Sequence, residues 1–318
     1  MHDRGTLGTY YFFSTAWQVL HFCSNQLIVW RGKGGEMTIP VSVAGVEHYF
    51  GLIVLGFVVG TYGTLIGAGG GFVLMPVLLL LYPDQSANLL TSISLAVVFF
   101  NALSGSEAYG LMKRIDYRSG VLFALGTIPG AVLGAINTSF VPRRLFDFIF
   151  GFLLIVAAVF LSVKPRHGVS TCESSHLSRY CVSRRLVDAH GTEYKYSFNY
   201  MLGVAISVAV GYISSFLGIG GGIIHVPALC YLLGFPVHIA TATSHFVLAI
   251  MALTGTVVHI ATGTFSQGVH QTVALAIGVL LGAQVGARLS DAVKGRWIIR
   301  SLAIALGIVG IKIFLSSL

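Results

Sequence analysis

Gly67-Ala68-Gly69-Gly70-Gly71, followed by Pro76, and Gly218-Ile219-Gly220-Gly221-Gly222, followed by Pro227, are near-copies, both offset by 151 residues. Each string interrupts a strongly apolar stretch. The apolar segment after each, 72–82 and 223–234, spans about 12 residues, short of the ~20 that a helix needs to cross a bilayer. It reads as a half-helix or a re-entrant arm. A broken membrane helix that occurs twice places a binding site at the interface of two repeats.

Composition sets the solvent. The 318 residues are 55% hydrophobic and only 9% charged, against about 25% charged in a soluble domain. Too few charges remain to cover a water-facing surface, so the chain is read as a polytopic membrane protein. The net charge of +8 comes from basic residues between apolar runs. Positive-inside topology accounts for them, and no aromatic-interleaved basic patch marks a nucleic-acid partner.

The apolar segments form two series, about 50–66, 72–82, 87–109, 119–137 and 145–163, then 200–217, 223–234, 239–263, 269–288 and 297–316. Further matches extend the repeat: Thr91-Ser92 with Thr243-Ser244, and Gly130–Ala135 with Gly282–Ala287, each offset by 152. The linker at 164–198 carries Lys164, Arg166, Arg179, Arg184, Arg185 and Lys195, which places it in the cytoplasm. Loop 110–118, with Lys113, Arg114 and Arg118, falls on the same side, and the uncharged loop 263–268 on the other. Arg143 and Arg144 in loop 138–144 go against the rule. Opposite orientation of the halves requires an odd number of crossings in each. The expected fold is therefore an all-α polytopic membrane protein of two inverted-topology repeats. Each repeat has a glycine-broken or re-entrant helix pair plus about three full spans. The expected organisation is an N-terminal extension at 1–47, interfacial or an upstream over-translation, then repeat 1 at 48–163, the linker at 164–198 and repeat 2 at 199–318. A cytoplasmic linker keeps Cys172 and Cys181 reduced. With His176 they fit no standard zinc finger.

Glycines at membrane depth let backbone N–H groups approach a ligand, and the half-helices beginning near Phe72 and Ile223 point positive ends to the same place. The candidate binding residues are Gly67, Gly69, Gly70, Gly71, Thr91 and Ser92, with Gly218, Gly220, Gly221, Gly222, Thr243 and Ser244. Close helix packing is the alternative reading of the glycines, and tying helices together that of the hydroxyls. Asn88 and Asn101 are further polar candidates. Glu107, His225, His245 and His259 are ionisable groups within apolar segments, candidates for coupling or ligand contact. Gly130/Gly134 and Gly282/Gly286 read as GxxxG packing pairs. No catalytic signature, no metal or cofactor site and no GxxxxGK[ST] nucleotide motif is visible.

The duplicated GxGGG with its proline, followed by the Thr-Ser pair, resembles the TauE/SafE family of membrane proteins over about residues 50–318. The resemblance implies an integral transporter of the cell's inner, plasma membrane that exports sulfite, sulfoacetate or a related organosulfur anion. It reaches the glycines and Thr-Ser pairs named above, with Pro76 and Pro227. The basic linker and the N-terminal extension depart from it. The alternatives are an anion channel and, less well supported, an intramembrane enzyme or a cation permease. The expected partners are the lipid bilayer and a small anion, with a homodimer left open.

Overall fold

The computed structural model describes residues 43–162, 180–290 and 295–317. The expectations for the N-terminal extension before residue 43, and for Cys172 and His176, lie outside the described residues. The first helix, α1 (Val43–Ile66), begins ahead of the expected boundary at residue 48. It ends at the first glycine string, where Gly67, Gly69 and Gly70 take positive φ. The chain continues as α2 (Gly71–Leu81), α3 (Ala87–Leu111), α4 (Tyr117–Thr138) and α5 (Arg143–Ser162). The second half follows suit: α6 (Tyr200–Leu217), α7 (Gly222–Leu232), α8 (Val237–Ala261), a 3-10 turn (Thr264–Gly268), α9 (Val269–Leu289) and α10 (Gly295–Ser317).

Among the described residues, six helical stretches are long and apolar enough to cross a membrane: Tyr49–Ile66, Ala87–Leu111, Tyr117–Thr138, Tyr200–Leu217, Val237–Ala261 and Thr264–Leu289. The short helices α2 and α7 follow glycine strings that an α-helix cannot traverse, because left-handed φ breaks the ladder. Pro76 and Pro227 lie inside them, each removing one backbone donor. The polarity is the reverse of a soluble protein's. Val58, Leu125, Leu133, Phe152, Val257 and Leu281 are exposed, while Thr64, Asn101, Ser207, Ser214, His225 and His245 are buried. An apolar exterior around a polar interior suits a lipid solvent.

The halves are interleaved. A Cβ on Gly130 or Gly134 of α4 would run into the backbone of Val208 and Tyr212 on α6. One on Gly282 or Gly286 of α9 would meet Phe57 and Thr61 on α1 in the same manner. Both GxxxG pairs therefore act in packing, bringing a helix of one half onto a helix of the other. Helix α3 packs against α8, and α5 against α10.

The register of the two halves differs from the sequence match at one place. Helices α3 and α8 are both 25 residues long and start 150 residues apart. The connection Leu233–Pro236 is one residue shorter than Tyr82–Ser86. Contacts agree: Gly69 and Gly220 both abut Val98 and Leu248, while Gly67 abuts Thr241 and Gly218 abuts Thr91. Thr91 and Ser94 are thus the counterparts of Thr241 and Ser244. The Thr-Ser match at 152 is a slip of two residues along a hydroxyl-rich run. By the same register His259 corresponds to Tyr109, and Glu107 to Val257.

The described part of the linker is not a polar coil. It forms an antiparallel hairpin, β1 (Cys181–Val187) with β2 (Glu193–Asn199), pairing Cys181 with Asn199 and Val187 with Glu193. In β2, Tyr194, Tyr196 and Phe198 alternate with Glu193, Lys195 and Ser197, the period-2 pattern of a strand with one face covered. Phe198 packs on Phe123 and Phe235. The expectation of a reduced cysteine is corrected here, since Cys181 is disulfide-bonded.

Candidate functional site

The two glycine turns meet at the centre. A Cβ on Gly71 would lie 2.7 Å from the carbonyl C and O of Ile219. One on Gly222 would lie 2.9 Å from the carbonyl C of Ala68. Only residues without side chains allow backbone to pass this close to backbone. The turns are closed by bonds to the preceding helices: Gly67 N–H donates to Thr64 O at 2.9 Å, Ala68 N–H to Gly63 O at 2.8 Å and Ile219 N–H to Ser214 O at 3.2 Å.

The helices leaving the turns start bare. Gly70 (φ 78°) and Gly221 (φ 66°) stand at the N-caps of α2 and α7, and no side chain caps either helix. Among the described residues the N–H groups of Gly70, Gly71 and Phe72, and of Gly220, Gly221 and Ile223, have no hydrogen-bond acceptor. The whole of Gly67–Phe72 and Gly218–Gly222 is buried. A buried, uncapped helix start concentrates donors and positive potential, the requirements of an anion.

The polar side chains around the turns fall into two groups. Beside the first turn, Thr64 Oγ1 donates to Asn101 Oδ1 at 3.0 Å and lies 3.3 Å from His245 Nε2. Tyr109 donates its hydroxyl to Thr64 O at 2.8 Å, and its ring meets His245 edge-on. His245 Nδ1 lies without a well-formed hydrogen bond. Beside the second turn, His225 sits between Ser244 Oγ at 3.3 Å and Ser207 Oγ at 3.4 Å. Ser94 donates to Gly218 O at 2.5 Å. Ser214 Oγ lies against Gly221 and has no partner, nor has Ser215 Oγ.

The sequence candidates are distributed as follows. All eight string glycines lie in the two turns, with Gly71 and Gly222 opening α2 and α7. Thr91 lies against Gly218 with its hydroxyl buried and unpartnered. Ser92 turns its hydroxyl back to Leu89 O at 2.7 Å. Thr243 Oγ1 accepts the backbone N–H of Asp116 at 3.1 Å, and Ser244 serves His225. His225 and His245 are at the turns. Glu107 and His259 are not; they sit near the C-terminal ends of α3 and α8, with Glu107 Oε2 and His259 Nε2 buried and unpartnered. Thr64, Ser94, Ser214 and Ser215 were not singled out from sequence. Thr64 and Ser215 precede their strings by three residues each, so extending the repeat backwards identifies them.

A second polar cluster joins the hairpin to this centre. Asp116 N-caps α4, accepting from Ser119 N at 3.2 Å, and also takes the Tyr196 hydroxyl at 2.8 Å. Arg184 lies 3.8 Å from its carboxylate. Since the Asp116 N–H also binds Thr243, this one residue ties hairpin, α4 and α8 together. At the hairpin tip, Ala189 N–H donates to Met112 O at 3.0 Å, and Arg114 lies 3.7 Å from Asp188. Burial works against the Asp188 carboxylate, but the backbone N–H groups of Thr192 and His190, and then Arg114, outweigh it and hold its pKa below the ordinary value.

A polytopic helical membrane protein whose two glycine-broken helices meet at a buried polar centre belongs to the transporter class. Comparison with known proteins makes the assignment specific. The chain belongs to the sulfite exporter TauE/SafE family, whose sequence profile matches residues 52–313. It is a multi-pass membrane transporter of that family. It is 32% identical over 268 residues to a probable membrane transporter protein, YunE, of Bacillus subtilis (strain 168), covering 82% of this chain and 96% of that one. It is 24% identical over 277 residues to the probable membrane transporter protein MJ0441 of Methanocaldococcus jannaschii, covering 83% and 94%. A probable membrane transporter protein, ORF9, of Sinorhizobium is 27% identical over 259 residues, covering 81% and 88%. No solved structure matches.

Proposed function

We propose that the protein is a secondary transporter of the plasma membrane that exports a small anion, sulfite, sulfoacetate or a related organosulfur anion, through a site formed by the two glycine turns. The observation that carries this reading is the meeting of two buried, uncapped helix starts, each with unpartnered hydrogen-bond donors beside it. The field there is positive although no lysine or arginine contributes to it. Both halves lend a turn to one site, as alternating access about a fixed centre requires.

An inverted-topology arrangement of the halves is part of the proposal. Its support is in which ends meet. The residues just after α2, Tyr82 and Gln85, share a pocket of about 100 Å³ with Gln267 of the 3-10 turn and Gln271 of α9. Phe235, just after α7, packs instead on the hairpin residues Tyr196 and Phe198. The two half-helices thus leave the centre towards different surroundings. His225 and His245, placed at the turns, are the ionisable groups we assign to ligand contact or proton coupling. At an inside-negative potential, one exported negative charge gains about 2.3 kcal/mol per 100 mV, so outward movement needs no nucleotide.

Purified protein in liposomes tests the reading. Sulfite or sulfoacetate efflux is expected to saturate and to be accelerated by the same anion on the opposite side. Flux linear in concentration without trans-acceleration would identify a channel, and absence of flux for either anion would reject the transport proposal. Sulfoacetate should stabilise the folded protein by mass action, and a neutral methyl sulfone of similar bulk much less.

A further inference from the structure

The two helix starts are chemically different, and the difference lies in a residue outside the glycine strings. Asn101 of α3 is fully buried. Its Oδ1 accepts the hydroxyl proton of Thr64 at 3.0 Å, and Thr64 Oγ1 has its lone pairs left for His245 Nε2 at 3.3 Å. With the His245 proton placed on Nε2, facing Thr64 Oγ1, this network sets the amide with Oδ1 on Thr64. Both protons on Nδ2 are then left over, and Nδ2 has no partner. It is directed at the first turn: a Cβ placed on Gly70, the N-cap of α2, would lie 3.5 Å from it. A buried amide with one end satisfied and the other unpaired beside a bare helix start carries a standing cost that a ligand acceptor removes.

We infer that Asn101 and the first turn of α2 form a donor-rich subsite that reads a fully ionised oxygen of the anion, with Thr64 and His245 holding the amide in the reading orientation. The inference rests on the proposed function and deepens it. The subsite offers the Nδ2 protons and the N–H groups of Gly70, Gly71 and Phe72, and the acceptor beside it, Val59 O, is a backbone carbonyl of helix α1. A sulfonate or sulfite oxygen, which only accepts, satisfies all of them, whereas a protonated oxygen presents a donor to donors. The second turn differs. There the unpartnered group beside Gly221 is the Ser214 hydroxyl, which donates or accepts and tolerates either kind of oxygen. Asn101 is accordingly the specificity-determining residue, and Thr64 is a positioning residue.

Binding of sulfite, methanesulfonate and sulfoacetate to the purified full-length protein, with dimethyl sulfone as the neutral control, tests the inference. Asn101→Asp puts acceptors where the donors stood and should weaken binding of every anion that the wild type holds by about a hundredfold or more. Asn101→Leu removes one charge-assisted donor and should cost about tenfold to a hundredfold. Should the aspartate variant fail to fold, Thr64→Val leaves the amide unheld and is expected to lose about tenfold, while Thr64→Ser retains wild-type affinity. Wild-type anion affinity in folded Asn101→Leu or Thr64→Val overturns the subsite while leaving the glycine-turn site in place. A wild type that binds none of the three anions overturns the proposed function and this inference together.

Discussion

Gly70 and Gly222 are both intolerant of a side chain, but for different reasons. Gly70 has φ 78°, where an L-residue costs about 1–2 kcal/mol, and its Cβ would also sit 2.9 Å from Val59 O. Gly222 opens α7 in ordinary helical conformation, and the approach of the Gly67–Ala68 backbone is what forbids a Cβ. We expect Gly222→Ala to abolish transport as fully as Gly70→Ala. Gly191→Ala, at φ 83° with open space around it, should leave transport intact. Sulfite flux in liposomes, with thermal stability measured alongside, separates them, and wild-type flux in Gly222→Ala would remove the backbone approach from the site. The hydroxyls divide similarly. Ser92 is closed on Leu89 of its own helix, so Ser92→Ala is expected to keep anion affinity within about twofold, a weak local bond being all that is lost. Ser244→Asp, placed against His225 in the buried centre, should eliminate anion binding by like charge. An aspartate variant that still transports sulfite would refute an anion site there. The glycines were legible in the sequence because their pattern is duplicated without a gap. Asn101 was visible only as one polar residue among several, since its partner Thr64 lies 37 residues before it and His245, which contacts Thr64, lies 144 after it.

Elements show where a local pattern suffices. The half-helices α2 and α7 follow directly from glycine punctuation and length, and they occur close to where those signals put them. The α3 and α8 register does not, because Thr91-Ser92-Ile93-Ser94 and Thr241-Ala242-Thr243-Ser244 admit two alignments. The shorter loop before α8 chooses between them. The hairpin had a readable signal in alternating Tyr194, Tyr196 and Phe198, which the surrounding basic residues obscured. Its docking makes a pH prediction. Asp188 has a depressed pKa in the folded protein, so its contribution is present above the unfolded value of about 3.9 and is lost as pH falls through the lower folded value. Thermal unfolding followed from pH 7 to pH 3 should show an acid decline in the wild type. Asp188→Asn should start lower and decline less steeply. An unchanged profile would mean that the tip contributes nothing. Tyr196→Phe removes the hydroxyl that Asp116 accepts and should destabilise by about 1.5–3 kcal/mol, the range for a bond to a charged group. A loss below a few tenths of that would make the contact incidental.

At the scale of the molecule, the inverted-repeat proposal is a statement about sidedness. The inverted-repeat proposal places the hairpin in the cytoplasm and the 3-10 turn outside. In an otherwise cysteine-free chain, a membrane-impermeant thiol reagent applied to intact cells should modify Ser266→Cys and spare Thr192→Cys. The reverse pattern, or equal labelling, would end that reading. The disulfide at Cys181 gives the experiment further weight, because disulfides persist in oxidising compartments and are rare in the cytosol. By itself the sequence determined the solvent, the approximate spans and the two breaks, because hydropathy and glycine punctuation are local properties of consecutive residues. Tertiary structure alone decided that the two breaks lie back to back, that α1 and α6 each pack on a helix of the other half, and which hydroxyls and amides are left without partners there. Those outcomes depend on backbone approach and on the saturation of hydrogen bonds between residues far apart in the chain, and no window of sequence contains both sides of such a contact.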